Sequence, residues 1–301
     1  MKQDLICKLL AAVILSGLTV PIEASFVRIS YGESLHQFGE LRTASAQSPV
    51  LIFLHGGCWL SQYNLNQTDA IMSAFTASGI TTWSLEYRSI GNGGGWPETF
   101  LDVAHGVDHL RVIADRYPLD LDRVIVAGHS AGGQLALWAA ARPNLSPDSP
   151  LYKPDPLPVR GVLALAPAPM LGALHKRAVC DHVVDKLMGG SPRRYRDRYD
   201  QVDLARIAPS APQLLLIGNK DRAWAWVGRR YFQLAMRRGD AVQLLELPEA
   251  GHFALINPNS SAWPVVLQSA RSLLQLDTGT PVPASAGIQG AQVRPISQGE
   301  Q

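Results

Sequence analysis

Arg123-Val124-Ile125-Val126-Ala127-Gly128-His129-Ser130-Ala131-Gly132-Gly133, continuing as Gln134-Leu135-Ala136-Leu137-Trp138-Ala139-Ala140-Ala141, decides the reading of this chain. The β-branched, apolar run up to Ala127 predicts a strand, and the run from Gln134 predicts a helix. A strand that turns into a helix at one residue forces that residue into a strained backbone conformation. Small neighbours two positions to either side, here Gly128 and Gly132, leave room for it. Ser130 is that residue. Its hydroxyl is expected at the C-terminal end of a buried sheet, beside a helix N-terminus that supplies backbone N–H groups and a partial positive potential. An ordinary serine in a glycine-rich turn has the same local pattern, so a chemical role for Ser130 depends on partners elsewhere in the chain.

Outward from this stretch, strands and helices alternate. Residues 26–31 alternate as a strand, and the polar stretch 32–48 holds the turn of an early hairpin. Val50-Leu51-Ile52-Phe53-Leu54 is a continuous apolar run of the kind buried on both faces. A helix is predicted over 68–78, a strand over 80–87, and a long amphipathic helix over 98–116 after Pro97. Residues 142–158 are rich in Pro, Ser and Asp and predict a surface connection. Further strands are predicted over 159–165, 212–218 and 242–247, and helices over 224–238 and 262–274. Residues 170–208 break this rhythm, and an insertion or lid over the sheet's C-terminal edge is expected there. The pattern predicts an α/β fold in which a mostly parallel sheet is covered by helices on both faces, with function at the strands' C-terminal ends.

Composition sets the bounds. The 301 residues are 47% hydrophobic and 17% charged, which suits one large domain, 25–276. The first 24 residues carry Lys2 and Lys8, then a short apolar run, then Ile22-Glu23-Ala24 as a cleavage site, and so resemble a secretory signal peptide; a periplasmic or secreted location is expected. Removing them deletes two lysines and two acids (Asp4 and Glu23), leaving the net charge at +2, which points to neither nucleic acid nor acidic membranes as partners, and no stable membrane insertion is expected after cleavage. Arginines at 193, 194, 196, 198, 229, 230, 237 and 238 are expected mainly on solvated faces. The tail 277–301, poor in large apolar residues, is expected to be disordered. With no C-x-x-C, H-E-x-x-H or clustered ligand spacing, neither a metal nor another cofactor is expected. Cys58 and Cys180 remain after cleavage. Their pairing is open, and free thiols are favoured, since a short loop beside a reactive centre seldom tolerates a strained crosslink. Oligomeric state is not legible.

A serine hydroxyl needs a base within hydrogen-bond reach and a carboxylate to orient that base. Asp221 lies directly after a buried strand and His252 just after the last one, so the order Ser130, Asp221, His252 is that of successive strand ends. Asp200, Asp203 and Asp240 are rivals for the acid, but only Asp221 caps a buried strand. Among rival histidines, His105 and His109 belong to a helix face, and His129 is expected to pack or hydrogen-bond rather than act as base. Charge developing on a carbonyl oxygen needs preset donors. The amide of Ala131 is one candidate, and the amides of Gly57 and Cys58, in the turn His55-Gly56-Gly57-Cys58-Trp59, are the others.

That turn and Gly128-His129-Ser130-Ala131-Gly132-Gly133, with Glu86-Tyr87-Arg88 between them, resemble the α/β-hydrolase superfamily from about residue 50 to 274. Within it the chain is similar to the carboxylesterase, feruloyl-esterase-like and kynurenine-formamidase-like group, whose loop reads H-G-G-x-W. The resemblance implies Ser130 as nucleophile, Asp221 as acid, His252 as base and the loop after His55 as oxyanion hole. It departs at Cys58, where many esterase relatives have a third glycine or an aromatic. Trp59 and Trp224, with Trp226, are the candidate aromatic walls of a substrate site. The expected activity is hydrolysis of a small-molecule carboxylic ester through an acyl-enzyme. The alternatives are an aryl formamide or other amide substrate, acyl transfer to an acceptor other than water, and a non-catalytic binding protein on the same fold.

Overall fold

The computed structural model describes residues 26–276. The expected leader and tail lie outside them. Among the described residues eight strands form one sheet in the order β1-β2-β4-β3-β5-β6-β7-β8. Their ranges are β1 Val27–Ser30, β2 Phe38–Arg42, β3 Ser48–Leu54, β4 Thr81–Leu85, β5 Leu119–His129, β6 Gly161–Leu165, β7 Gln213–Gly218 and β8 Val242–Leu247. The hairpin β1–β2 and its junction with β4 are antiparallel, and every pairing from β4 to β8 is parallel.

The parallel strands are apolar along their whole length because both faces are covered. In β3, Val50, Ile52 and Leu54 enter one apolar layer and Leu51 and Phe53 the other. Helices α1 (Asp69–Ala77) and α9 (Trp263–Leu273) close the second layer. The first is closed by α2 (Glu98–Asp108), α3 (Leu110–Ala114), α4 (Ala131–Ala141), α5 (Leu171–Lys176), α6 (Val179–Met188), α7 (Arg196–Val202) and α8 (Ala225–Arg238). Every residue of α4 is buried, which accounts for its apolar composition all round.

Two expectations are corrected. The helix over 98–116 is two helices, α2 and α3; His109 stays in the helical region (φ −61°, ψ −17°), so the coil tightens there without turning. The connection 142–158 is not all surface. Arg142 is buried and donates to both carboxylate oxygens of Asp108, at 2.9 and 2.7 Å. Burial works to raise the Asp108 carboxyl, and the Arg142 guanidinium outweighs it, holding the group below the usual carboxylate range. The arginines lie mainly on solvated faces, as expected, and two of the partly covered ones are paired there, Arg229 with Glu246 and Arg238 with Asp240.

Residues 170–208 form α5, α6 and α7, docked on α4: Gln134 Nε2 donates to the Val202 carbonyl and Trp138 Nε1 to that of Gln201, both at 3.0 Å. Val183, Leu187, Tyr199 and Val202 of this segment belong to the first apolar layer.

The elbow between β5 and α4 depends on missing side chains. A Cβ on Gly132 would lie 2.0 Å from the Leu54 carbonyl oxygen and 2.4 Å from that of His55, and one on Gly128 would lie 2.2 Å from the Gly132 oxygen. All of these are backbone atoms in paired or buried segments, so none yields cheaply. Gly132→Ala is therefore expected to cost about 3 kcal/mol or more, at the upper end of overpacking effects, read as a fall in thermal midpoint. Gly251→Ala, where the backbone is extended and a Cβ meets nothing within 4 Å, serves as the control and should stay within about 0.5 kcal/mol. A Gly132→Ala protein as stable as this control would overturn the packing argument.

Candidate active site

Ser130 stands at φ 55°, ψ −116°, a conformation rare for a residue with a side chain. Its hydrogen bonds run through its backbone: its N–H donates to the Leu165 carbonyl at the end of β6 (2.9 Å), and its carbonyl accepts from Ala168 (3.1 Å) and Gln134 (3.2 Å). The strained residue is thus pinned between two strand ends and the first turn of α4. The amide of Ala131, in that first turn, donates to no protein group among the described residues, as expected where a helix begins.

The loop after β3 lies against this elbow. A Cβ on Gly56 would fall 3.3 Å from Ser130 Cβ and 2.9 Å from the His129 carbonyl. Beyond it Gly57, Cys58 and Trp59 take φ of 116°, 52° and 55°. The amides of Gly57 and Cys58 also lack a protein partner among the described residues. His55 anchors the loop from behind. Its ring stacks on Tyr87 (4.3 Å between centroids, 11° apart), its Nε2 bonds Glu86 Oε1 at 3.1 Å, and the Tyr87 hydroxyl donates to its carbonyl at 2.7 Å. Burial works to raise the Glu86 carboxyl, but the bond from His55, its charge, and the amides of Leu65 and Tyr87 outweigh it and hold Glu86 below its ordinary value.

After β7 and β8 the two other expected residues meet. His252 Nδ1 donates to Asp221 Oδ2 at 2.5 Å, and Asp221 Oδ1 accepts from the Trp224 amide at 3.0 Å. With its Nδ1 proton directed at the carboxylate, the imidazole presents Nε2 as an acceptor. Its ring lies 4.5 Å from that of His129, 5.9 Å from Trp224 and 5.2 Å from Phe253. His129 is a packing and hydrogen-bonding residue: its Nε2 donates to the His252 carbonyl at 3.1 Å. Burial, and then the His252 charge, push its pKa down to about 3, so it is neutral at ordinary pH.

Ser130, Asp221, His252, Gly57 and Cys58 line one cleft of about 360 Å³, whose walls include Trp224. A hydroxyl, an imidazole oriented by a carboxylate and unpartnered amides in one cleft are the parts that acyl transfer requires. The rival acids are engaged elsewhere: Asp240 with Arg238, Asp200 with Arg206, and Asp203 with the amides of Gly172 and Ala205.

Trp59 is a correction. At 1% exposure its ring lies in the first apolar layer and not on the cleft, because the left-handed turn through 57–59 sends it inward. Trp226 is not a cleft wall either; its ring lies under the Arg177 guanidinium. The preference for free thiols is also overturned. Cys58 and Cys180 form a disulfide with Cα atoms 6.6 Å apart, bringing the segment 170–208 to the cleft wall. Tyr63, Gln67 and Phe253 line the cleft and were not singled out in the sequence. Phe253, next to His252 and 66% exposed, was the only one of the three with a positional hint.

Known proteins resemble this chain in sequence and in fold. Esterase LipC of Mycobacterium tuberculosis is 30% identical over 220 residues, which is 68% of this chain and 53% of that protein. The probable carboxylic ester hydrolase LipM of the same organism is 29% identical over 107 residues, 36% of this chain and 24% of that one. The chain thus spans about half the length, or less, of the curated relatives it matches. An inhibited esterase B from Lactobacillus rhamnosis superimposes with a TM-score of 0.73 at 18% identity, covering 85% of this chain and 89% of that one, which establishes a shared α/β-hydrolase fold. Residues 41–223, more than half of the sequence and including both the loop after β3 and the Ser130 elbow, match the BD-FAE family, and the chain belongs to it.

Proposed function

We propose that this chain is a serine hydrolase that cleaves a small carboxylic ester through an acyl-enzyme. The observation that carries this reading is the His252–Asp221 hydrogen bond opening on the same cleft as the strained Ser130. The names of the LipC and LipM relatives support the reaction class. In the proposed cycle Ser130 Oγ attacks the ester carbonyl while His252 Nε2 takes its proton, and Asp221 stabilises the imidazolium without itself being protonated. Among the described residues no hydrogen bond joins Ser130 Oγ to His252 Nε2, and the cycle needs that bond to form when substrate binds. The amides of Ala131, Gly57 and Cys58 receive the oxyanion. The tetrahedral intermediate collapses, expelling the alcohol, which takes the proton back from His252. Water, deprotonated by the same imidazole, then attacks the acyl carbonyl; the bond from that carbon to Ser130 Oγ breaks, Oγ takes the proton back from His252, and the carboxylic acid leaves.

The neutral state of His129 suits this cycle. Packed against His252, it adds no second cation when the imidazolium forms. Turnover on aryl esters of graded acyl length, beside an aryl formamide, tests the substrate class; a preference of about a hundredfold for esters is expected, and the reverse preference would replace ester by formamide. Ser130→Ala is expected to lose on the order of a millionfold in kcat and His252→Ala a similar factor. Asp221→Asn should lose less, roughly ten-thousandfold. Retention of more than about one per cent of activity by folded Ser130→Ala would remove the serine from the mechanism, since triad losses are far larger.

We further propose that residues 1–24 direct export and are removed. The Cys58–Cys180 bridge supports this, because structural disulfides persist in oxidising compartments. Mass spectrometry of protein from a periplasmic or secreted fraction should give an N-terminus near Ser25, and thiol labelling of the unfolded, unreduced protein should find no free cysteine. Cys180→Ser should cost on the order of 2–4 kcal/mol, the usual range for a bridge closing a long loop. An intact Met1 on a cytosolic protein with free thiols would sink the export reading.

A further inference from the structure

The carbonyl of Gly56 and the amide of Gly57 belong to one peptide unit, and in a planar trans unit the two point to opposite sides. That carbonyl accepts two hydrogen bonds, from His55 Nδ1 at 2.8 Å and from Gln67 Nε2 at 3.1 Å. Two donors on the carbonyl side fix the rotation of the whole unit, and so fix where the Gly57 N–H points. That N–H has no protein partner among the described residues, and Gly57 lines the cleft with Ser130.

Both donors trace back to one buried carboxylate. Glu86 Oε1 takes the bond from His55 Nε2, and Glu86 Oε2 takes the amide of Leu65 at 3.0 Å. Leu65 opens the short 3-10 turn Leu65–Thr68 that carries Gln67. The turn is tightened by Thr68 Oγ1 donating to the Leu65 carbonyl at 2.6 Å and by Gln67 Nε2 also reaching the Asn64 carbonyl at 3.1 Å. Gln67 is therefore held at its base by the end of β4 and reaches across to the loop after β3. We propose that Gln67 is a positioning residue for the oxyanion hole: with His55 it clamps the Gly56 carbonyl and thereby aims the Gly57 amide at the developing oxyanion. This rests on the oxyanion-hole reading given above.

Gln67 is exposed, so its replacement does not threaten the core as changes at buried His55 or Glu86 would. Gln67→Met keeps the length and removes the donor. Its kcat on an aryl ester should fall roughly tenfold, less than the hundred- to thousandfold seen when an oxyanion donor is lost outright, because the amide is misaimed and not removed. KM and thermal midpoint should stay at wild-type values. Affinity for an aryl trifluoromethyl ketone, which captures the serine and carries an oxyanion, should fall by the same factor as kcat. An effect confined to KM would make Gln67 a substrate contact and overturn the positioning role. The parent reading has its own arm. Cys58→Pro removes an amide donor and cannot adopt φ 52°, and Cys58→Ser loses only the bridge. If Cys58→Pro is inactive beside an active Cys58→Ser while Gln67→Met keeps full kcat, the oxyanion hole stands and the clamp is wrong. If Cys58→Pro hydrolyses esters as fast as Cys58→Ser, the oxyanion assignment of the loop falls, and the clamp with it.

Discussion

Backbone packed on backbone at Gly132 is the contact on which the remainder of the site depends. The first turn of α4 lies so close to the end of β3 that the Leu54 and His55 carbonyls occupy the space a side chain would need. This approach sets the Ser130 elbow and the loop that begins at His55 side by side, at the ends of neighbouring strands, although Ser130 and His55 are more than seventy residues apart in the chain. Chemistry at a carbonyl needs a nucleophile and its oxyanion donors fixed to within a fraction of an ångström. On the proposed reading of the site, that precision would come from glycine-permitted contact between two main chains, whose positions are in turn set by the parallel sheet.

Two buried ionisable groups are handled in opposite ways, Glu86 behind the loop after β3 and His129 in the wall of the cleft. Glu86 keeps its charge because it gathers hydrogen bonds from His55, Leu65 and Tyr87. His129 gives up its charge: with one ring nitrogen bonded to a carbonyl and the other buried without a partner, the imidazole is more stable neutral than protonated. A paired carboxylate holds the loop, and an uncharged imidazole lies beneath His252.

The segment 170–208 shows a different kind of constraint. Its helices are docked on α4 by Gln134 and Trp138, and its Cys180 is tied to the loop after β3. Ala178, Cys180, Asp181 and His182 are all left-handed, with φ between 45° and 55°. None of them is glycine, so local preference opposes the conformation, and tertiary contacts together with the bridge sustain it. A stretch of this kind is where pattern reading fails.

The fold was legible because buried parallel strands must be apolar throughout and the helices between them must carry apolar stripes. Strand β8 was read to its terminal residues, and β3, β5, β6 and β7 to within a few. Ser130, Asp221 and His252 were legible for a related reason: strand ends of this topology converge, so residues just beyond successive strands become neighbours whatever their spacing in the chain. Side-chain direction outside the regular elements was not legible. Trp59 turns into the core because Gly57, Cys58 and Trp59 itself are left-handed, and nothing in its own identity distinguishes that from facing the cleft, as Trp224 does. The Cys58–Cys180 bridge joins residues 122 apart, and the reach of Gln67 to the Gly56 carbonyl crosses from one loop to another. Such contacts carry no periodicity and no local propensity. They exist because the sheet brings its strand ends together, and only the folded chain specifies which side chains then meet.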